Sequence, residues 1–251
     1  MAAADGADAI AKKRSDLPVR VASAVVMVAV AGAAFWLGGW VLTAFILMAG
    51  LGIFAEYAML VLAFESRRLA RAVWLLLGGL YIGFACFTAQ SPLLGDQILL
   101  VVLCSVIAVD VGAYFAGRTF GGPRIAQSIS PSKTWAGLGG GILAACALYL
   151  AVFWEIYLHE LAVAQQIEAL HEPDYHAGVP KFFWLFAVAL GSLTAIVAQS
   201  GDFFESWMKR RAGVKDSGRL IPGHGGLFDR TDGLIAVLFV IGVLGLITHG
   251  I

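Results

Sequence analysis

Seven long apolar stretches constrain this chain more than any other feature of its sequence. They cover roughly residues 19–36, 39–64, 69–88, 96–116, 134–157, 182–199 and 233–248. An α-helix rises about 1.5 Å per residue, so about 20 apolar residues can cross a bilayer. Of the 251 residues, 60% are hydrophobic and 14% are charged, whereas about a quarter of a soluble domain is charged. The sequence therefore predicts an all-α, polytopic membrane bundle of about seven (six to nine) transmembrane helices.

The N-terminal segment is polar and Ala-rich, and we expect residues 1–17 to form a disordered cytoplasmic leader. The apolar run behind it is long, and no clear small-x-small cleavage site follows. This pattern favours a retained first transmembrane helix over a signal peptide. Only Leu37 and Gly38 separate the first two apolar stretches, which form either a tight hairpin or one long bent segment. Residues 18–251 are predicted to form a single transmembrane domain.

Basic residues are distributed very unevenly between the two sides of the predicted bundle. With the N-terminus inside, 16 of the 17 Lys and Arg residues fall on the cytoplasmic side. They lie in the leader, in the loops after the second and fourth spans, and in residues 200–232. The opposite loop, residues 158–180, is acidic. Because cytoplasmic loops carry an excess of Lys and Arg, this asymmetry predicts a cytoplasmic N-terminus, although a re-entrant pair of helices would preserve it.

Charged residues inside spans are costly in a bilayer and are functional candidates by default. Four acidic side chains qualify: Glu56, Asp110, Asp202 and Glu205. Glu56 lies near the cytoplasmic end of the second span, and we expect it to pair with a loop arginine. Asp110, Tyr114 and Arg118 share one face of a helix. That polar stripe predicts a partner or a wet cavity beside the fourth span.

A hydroxyl-rich segment precedes the fifth predicted span. It contains Ser130, Ser132, Lys133 and Thr134. Unpaired N–H groups and the helix dipole favour an anion at such a helix start. The alternative is an ordinary helix N-cap beside a lysine that only sets the membrane topology, and the sequence leaves both open.

The densest chemistry lies in residues 200–232. Asp202, Glu205, Ser206 and Lys209 lie close together at the end of the sixth span. A glycine-rich loop then carries most of the remaining polar residues, namely Lys215, Asp216, Arg219, His224, Gly225 and Gly226, before Asp229, Arg230 and Asp232. Carboxylate oxygens suit hard divalent cations, which also bind substrate phosphates. Cations and glycine-flanked backbone N–H groups suit polyphosphate. The mixture predicts a site for phosphate and metal.

The segment from Ser206 to Asp232 resembles the signature of the phosphatidate cytidylyltransferases, also called CDP-diacylglycerol synthases. The matching residues are Ser206, Met208, Lys209, Arg210, Lys215, Asp216, Gly218, Pro222, His224, Gly225, Gly226, Asp229, Arg230 and Asp232. The stripe ending at Gly117-Arg118 and the segment Ser130-Pro-Ser-Lys-Thr-Trp135 are similar to further family elements. One departure is Ala136, where family members often carry glutamate. The acidic loop also looks longer than the family needs.

The resemblance implies that CTP and phosphatidate react to give CDP-diacylglycerol and pyrophosphate for phospholipid synthesis. It also implies Mg²⁺, with or without a second cation, and a homodimer, and no nucleic-acid partner is expected. On this basis Asp202 and Asp229 are predicted metal ligands, assisted by Asp232 or Glu205. The predicted catalytic residues are Lys209, Arg210, Lys215, Asp216, His224 and Arg230. The predicted substrate-binding residues are Asp110, Tyr114, Arg118, Ser130, Ser132, Lys133, Thr134, Ser206, Arg219, Gly225 and Gly226.

Two other classes of function remain open from the sequence. A CTP-dependent polyprenol, phytol or dolichol kinase, or another lipid cytidylyltransferase, would use a similar site. An ion-coupled transporter would explain the intramembrane carboxylates, but it would not explain the basic loop with its His-Gly-Gly. The resemblance further predicts a prokaryotic inner membrane, with the active site facing the cytoplasm.

Overall fold

The computed structural model describes residues 2–92, 94–169 and 182–249, with side chains for 18–92, 94–165 and 182–248. These residues form seven α-helices: α1 (Ala2–Leu37), α2 (Gly39–Phe64), α3 (Arg68–Ala89), α4 (Gly95–Phe120), α5 (Trp135–Ala169), α6 (Phe183–Ala212) and α7 (Phe228–His249). Each of the seven has an apolar stretch long enough to cross a membrane. The only β-pairing among the described residues is two isolated bridges. The predicted all-α polytopic membrane fold is confirmed.

The first two apolar stretches form two separate helices rather than one bent segment. Gly38 and Gly39 adopt φ values of 58° and 49°, and this left-handed backbone interrupts the helix at a residue type that tolerates it. α1 and α2 contact each other. α1 begins at Ala2, so residues 2–17 are helical in the structure and not the disordered leader that we predicted. The Ala-rich composition of this segment accounts for the difference, because alanine has the highest helix propensity.

Several helices extend beyond the apolar stretches that predict them. α6 continues past residue 199 to Ala212, and α7 begins at Phe228 rather than at residue 233. The extensions are charged, with Lys209, Arg210 and Arg211 in the last turn of α6 and Asp229 in the first turn of α7. Both placements are favourable to the helix dipole. α5 likewise includes the first part of the predicted acidic loop, whereas residues 170–181 lie outside the described part of the chain.

The chain divides into two compact units, Met1–Leu99 with Gly201–Ile251, and Leu100–Ser200. The first unit holds α1, α2, α3, the end of α6, and α7. Residues 201–232, the greater part of the predicted site, therefore belong to one unit. The second unit holds most of α4, α5 and the beginning of α6. Whether residues 18–251 act as a single domain stays a prediction.

In the first unit, glycines allow helices to approach closely. A Cβ on Gly201 of α6 would lie 2.5 Å from the Asp232 carbonyl oxygen and 2.8 Å from the Ala236 Cβ of α7. Gly78 of α3 likewise lies against the ring of Tyr57, whose hydroxyl donates a 2.8 Å hydrogen bond to the Trp74 carbonyl. Small residues permit such contacts where lipid supplies no hydrophobic drive between helices. The Gly201 contact brings Asp202 and the start of α7 to the same level.

In the second unit, small residues and a polar cluster join α4, α5 and α6. A Cβ on Gly112 would lie 2.5 Å from the Gly140 carbonyl oxygen, so α4 and α5 cross at their backbones. The Tyr149 hydroxyl lies 3.3 Å from both the Ser105 and the Thr194 hydroxyl oxygens. These buried hydroxyls satisfy one another, as polar groups between membrane helices must.

Replacing Gly201 with valine should destabilise the α6–α7 crossing. The added side chain would overlap the Asp232 carbonyl and Ala236, and overpacking of this kind costs about 1–3 kcal/mol. We expect a lower midpoint of thermal unfolding for the purified protein in detergent. Gly83→Val is the matched control, because a Cβ on Gly83 of α3 meets nothing within 4 Å. Equal thermal unfolding midpoints for the two variants would contradict the close approach of α6 and α7 at Gly201.

Candidate functional site

Asp229, in the first turn of α7, lies at the centre of the predicted site. Its Oδ1 accepts a 2.6 Å hydrogen bond from the Lys209 ammonium. Its Oδ2 accepts the backbone N–H groups of Ser217 and Gly226, each at 2.9 Å. Charge-assisted hydrogen bonds are among the strongest in proteins. Three donors from α6 and from the α6–α7 connection thus fix the orientation of one carboxylate.

Lys209 lies between two carboxylates. Its ammonium nitrogen is 2.5 Å from Glu205 Oε2 and 2.6 Å from Asp229 Oδ1. Only 1% of the Glu205 side chain and 9% of the Asp229 side chain are exposed. Glu205 Oε1 is buried and has no hydrogen-bond partner among the described residues. One ammonium thus faces two carboxylates, so its single positive charge does not balance both. A further cation could bind at the free oxygen of Glu205.

The loop that joins α6 to α7, residues 213–227, is shaped by glycines; we call it the connecting loop. Gly213 ends α6 with φ 70°, and the Val214 N–H bonds back to the Lys209 carbonyl at 3.0 Å. A left-handed glycine with such a bond is a common helix end. Gly223 and Gly225 also have positive φ, and a tight turn joins the Ile221 N–H to the Gly225 carbonyl at 3.0 Å. This turn directs the Gly226 N–H at the Asp229 carboxylate. The Gly226 amide, which we predicted to bind substrate phosphate, therefore donates its hydrogen bond to Asp229 in this structure.

Two residues absent from the predicted site hold the connecting loop in place. Ser217 donates its hydroxyl to Glu56 Oε2 at 3.0 Å and accepts the Asp229 N–H at 3.3 Å. Glu56, which is 0% exposed, also accepts the Phe228 N–H at 2.8 Å. Our expectation that Glu56 pairs with a loop arginine is wrong, because among the described residues its partners are a hydroxyl and a backbone amide. Ser217 is visible in the polar segment, but only the fold shows its partner.

His224 links the connecting loop to the first helix. Its Nδ1 lies 2.8 Å from the Ser23 hydroxyl of α1. The Arg230 guanidinium donates to the His224 carbonyl oxygen from Nε at 3.2 Å and from Nη2 at 2.7 Å. Two predicted catalytic residues therefore also support the loop, and Ser23 is a neighbour that sequence reasoning missed.

The other predicted residues of the first unit surround this centre. Ser206 donates its hydroxyl to Asp202 Oδ1 at 3.3 Å on the same face of α6. Asp232 lies one turn after Asp229 on α7, where its carbonyl meets Gly201. The side chains that reach solvent are mostly cations: Arg210, Lys215, Asp216, Arg219 and Arg230 are exposed. The first unit thus pairs a buried carboxylate–lysine cluster with an exposed basic rim.

The remaining predicted residues belong to the second unit. Arg118 Nη1 donates to the Tyr114 hydroxyl at 3.4 Å, so the predicted shared face of α4, which also includes Asp110, is observed. The Thr134 hydroxyl accepts the Gly137 N–H at 3.0 Å, which makes Thr134 an ordinary N-cap of α5. Ser130 is buried, Ser132 is exposed and Lys133 is partly exposed. Whether these four residues also bind an anion stays a prediction.

The predicted metal ligands do not by themselves form a complete ion site. Among the described residues no group of three or more His, Cys, Asp or Glu side chains could hold a metal ion. Asp229 already receives three hydrogen bonds, whereas Glu205 keeps one buried oxygen without a hydrogen-bond partner. Mg²⁺ typically takes one or two carboxylates and completes its shell with phosphate oxygens and water. The donors fit that mode of binding, and the assignment of Asp202, Asp229, Asp232 and Glu205 stays a prediction.

Fold and site together define a polytopic membrane protein with a buried carboxylate–lysine cluster under a basic, glycine-rich loop. The model of the cytidylyltransferase family matches residues 53–247. This chain belongs to the cytidylyltransferase family. The match includes the whole second unit, the greater part of the first and every residue of the predicted site, whereas α1 lies outside it.

Three relatives of this chain are each named phosphatidate cytidylyltransferase. The chain is 40% identical to the phosphatidate cytidylyltransferase of Brucella suis over 179 residues, 69% of this chain and 57% of the relative. It is 30% identical to that of Rickettsia bellii over 225 residues, 89% of this chain and 88% of the relative. The Haemophilus influenzae protein of the same name is 37% identical over 149 residues, 59% of this chain and 46% of the relative. The chain thus spans little more than half of the Brucella relative.

Removing the positive charge of Lys209 should destabilise the site. Lys209→Met leaves Glu205 and Asp229 facing each other without a cation, and breaking a buried ion pair in this way costs about 3–5 kcal/mol. We expect a lower thermal unfolding midpoint in detergent, partly restored by adding Glu205→Gln. Lys215→Met, in the exposed part of the connecting loop, is the control. The charge cluster has no structural role if the two lysine variants unfold at the same temperature.

Proposed function

We propose that this protein transfers the cytidylyl group of CTP to phosphatidate, which gives CDP-diacylglycerol and pyrophosphate for phospholipid synthesis. The observation that carries the proposal is the convergence of Lys209, Asp229 and the glycine turn in one cluster at the ends of α6 and α7. A relative that is 40% identical to this chain over 179 aligned residues is named for this reaction.

The proposed reaction is a displacement at the α-phosphorus of CTP. A phosphate oxygen of phosphatidate forms the new P–O bond, while the bond to the β-phosphate oxygen breaks and pyrophosphate departs with its electrons. The attacking oxygen is already ionised at neutral pH, so no strong general base is required. The difficulty is electrostatic, because two polyanions repel each other strongly once water is excluded. The site must therefore supply positive charge and exact orientation of both substrates.

The residues of the first unit suit these two tasks. The exposed cations Arg210, Lys215, Arg219 and Arg230 surround the cluster and can contact phosphate oxygens as the substrates arrive. Arginine suits this role because its planar fork matches phosphate geometry. Lys209 is held rigidly by Glu205 and Asp229, so its charge is oriented before the substrates bind. Fixed charges of this kind need no rearrangement during the reaction.

Magnesium is the proposed cofactor, with or without a second cation. Glu205 and Asp229 would hold it together with Asp202 or Asp232, and its charge would offset that of the phosphates. The unpartnered oxygen of Glu205 supports this assignment. We further propose that the site faces the cytoplasm from a prokaryotic inner membrane, where CTP arrives from water and the lipid from the bilayer. The basic loops at that predicted side support this orientation. A homodimer stays a prediction from the family resemblance.

Purified protein should release pyrophosphate when given CTP, phosphatidate and Mg²⁺. Because the leaving group is pyrophosphate, the nucleotide product stays attached to the lipid, and no free CDP should form. A coupled pyrophosphate assay with thin-layer separation of the lipid product measures both. Release of CDP with a phosphorylated lipid would instead indicate a lipid kinase and overturn the proposal.

Replacing Asp229 with asparagine should abolish Mg²⁺-dependent turnover while membrane insertion stays intact. The substitution keeps the size of the side chain but removes the charge that faces Lys209 and the proposed ion. Asp96→Asn is the matched control, because Asp96 is an exposed aspartate in the first turn of α4. Pyrophosphate release and the amount of protein in the membrane fraction are measured for both. Normal turnover in Asp229→Asn would remove the metal assignment.

A further inference from the structure

We propose that Glu56 of α2 is a positioning residue that clamps the connecting loop and thereby sets the orientation of Asp229. The clamp itself stands on the structure alone, and its effect on turnover rests on the proposed function. Glu56 is 0% exposed. A side chain so deeply buried does not touch substrate, so it acts through the groups that it binds.

Among the described residues, the hydrogen bonds of Glu56 come from the two ends of one polar segment, residues 217–228. Its Oε2 accepts the Ser217 hydroxyl from the middle of the connecting loop and the Phe228 N–H from the first turn of α7. Its Oε1 has no hydrogen-bond partner among the described residues. One oxygen atom on α2 therefore holds together two positions that are eleven residues apart in the chain (228 − 217).

Ser217 passes this restraint on to Asp229. The Ser217 hydroxyl that binds Glu56 also accepts the Asp229 N–H, and the Ser217 N–H donates to Asp229 Oδ2. Both the backbone and the carboxylate of Asp229 are therefore tied to the residue that Glu56 holds. Displacing Ser217 would release one of the three donors that orient the Asp229 carboxylate.

Two glycines allow the loop to lie directly on the Glu56 carboxylate. A Cβ on Gly218 would collide with Glu56 Oε1, and a Cβ on Gly226 would collide with Glu56 Oε2 and the Ser217 hydroxyl. Glycine is therefore required at both positions by the proximity of the carboxylate, independently of backbone φ. This contact explains why the buried acid and the glycine-rich loop belong together.

Glu56 also stabilises the beginning of α7. The first N–H groups of a helix have no partner within the helix, and a nearby negative charge is favourable to the helix dipole. The Phe228 N–H is one of these groups, and its acceptor comes from α2 rather than from a local N-cap side chain. The position of the Asp229 turn is therefore coupled to α2.

Hydrogen–deuterium exchange on the full-length protein in detergent tests the clamp. In Glu56→Ala, amides 217–228 should exchange at least about tenfold faster, because charge-assisted hydrogen bonds are lost, while α3 stays at the wild-type rate. Glu56→Gln should retain most of the protection, since its amide oxygen can accept both hydrogen bonds. Glu65→Ala is the matched control: Glu65 lies at the end of the same helix and bonds the Arg67 N–H at 3.0 Å.

Ser217→Ala tests the same link from the loop, without altering a buried charge, should Glu56→Ala fail to fold. It should also accelerate exchange at the Gly226 and Phe228 amides, and the double variant should be no faster than Glu56→Ala, because residues in one network are not additive. Wild-type exchange of the loop in Ser217→Ala, or equal acceleration of the loop and α3 in Glu56→Ala, would overturn the clamp.

Turnover separates this inference from the proposed function. If the wild-type protein releases pyrophosphate, Glu56→Ala should lower kcat by about tenfold or more, as expected when a group that orients a reacting residue is lost. Glu56→Gln should retain most of the wild-type kcat. If the wild-type protein releases none, the proposed reaction fails, and the exchange data still decide whether Glu56 holds the loop.

Discussion

The buried negative charge of Asp229 is the constraint on which the rest of the first unit depends. A carboxylate at the membrane-spanning level is costly unless it is paired and hydrogen-bonded. Here the compensation comes from one ammonium on α6 and two backbone amides of the connecting loop. α6, the connecting loop and α7 are therefore held in one arrangement, because moving any of them would leave a largely buried charge uncompensated.

Close packing is the means by which this arrangement is reached. Gly201 brings the backbone of α6 against α7 at Asp232, so the two helices that carry the acidic side chains meet at that level. On the other side of the site, Gly218 and Gly226 let the connecting loop lie on Glu56. Gly218 and Gly226 thus lack a side chain at the positions where the loop contacts the Glu56 carboxylate. Such contacts also make the site sensitive to small changes far from the reacting atoms.

The number and order of the membrane helices could be predicted from the sequence, because runs of apolar residues respond directly to bilayer thickness. The end of α6 and the beginning of α7 could not be predicted in this way. Charged residues such as Lys209 and Asp229 lower the hydropathy of these segments, although the segments remain helical. The residues of the site were visible as a polar segment, and Lys209 and Asp229 do meet. The roles of Glu56, Ser217 and Ser23 were missed because their partners are distant in the chain, and only the packing of α1 and α2 against the loop reveals them.

The charged side chains of the site fall into two sets, one fixed by contacts within the protein and one exposed to solvent. Glu205 is buried, Lys209 and Asp229 are largely buried, and mutual contacts fix all three, whereas Lys215, Arg219 and Arg230 reach solvent. The proposed reaction between two polyanions needs both kinds. Exposed cations attract and neutralise charge as substrates approach, but long exposed side chains are too mobile to define the geometry of an in-line displacement. The buried cluster can define it, because its charges are already oriented. The Glu56 clamp belongs to this second set: it acts on orientation without contributing charge to the surface that the substrates meet.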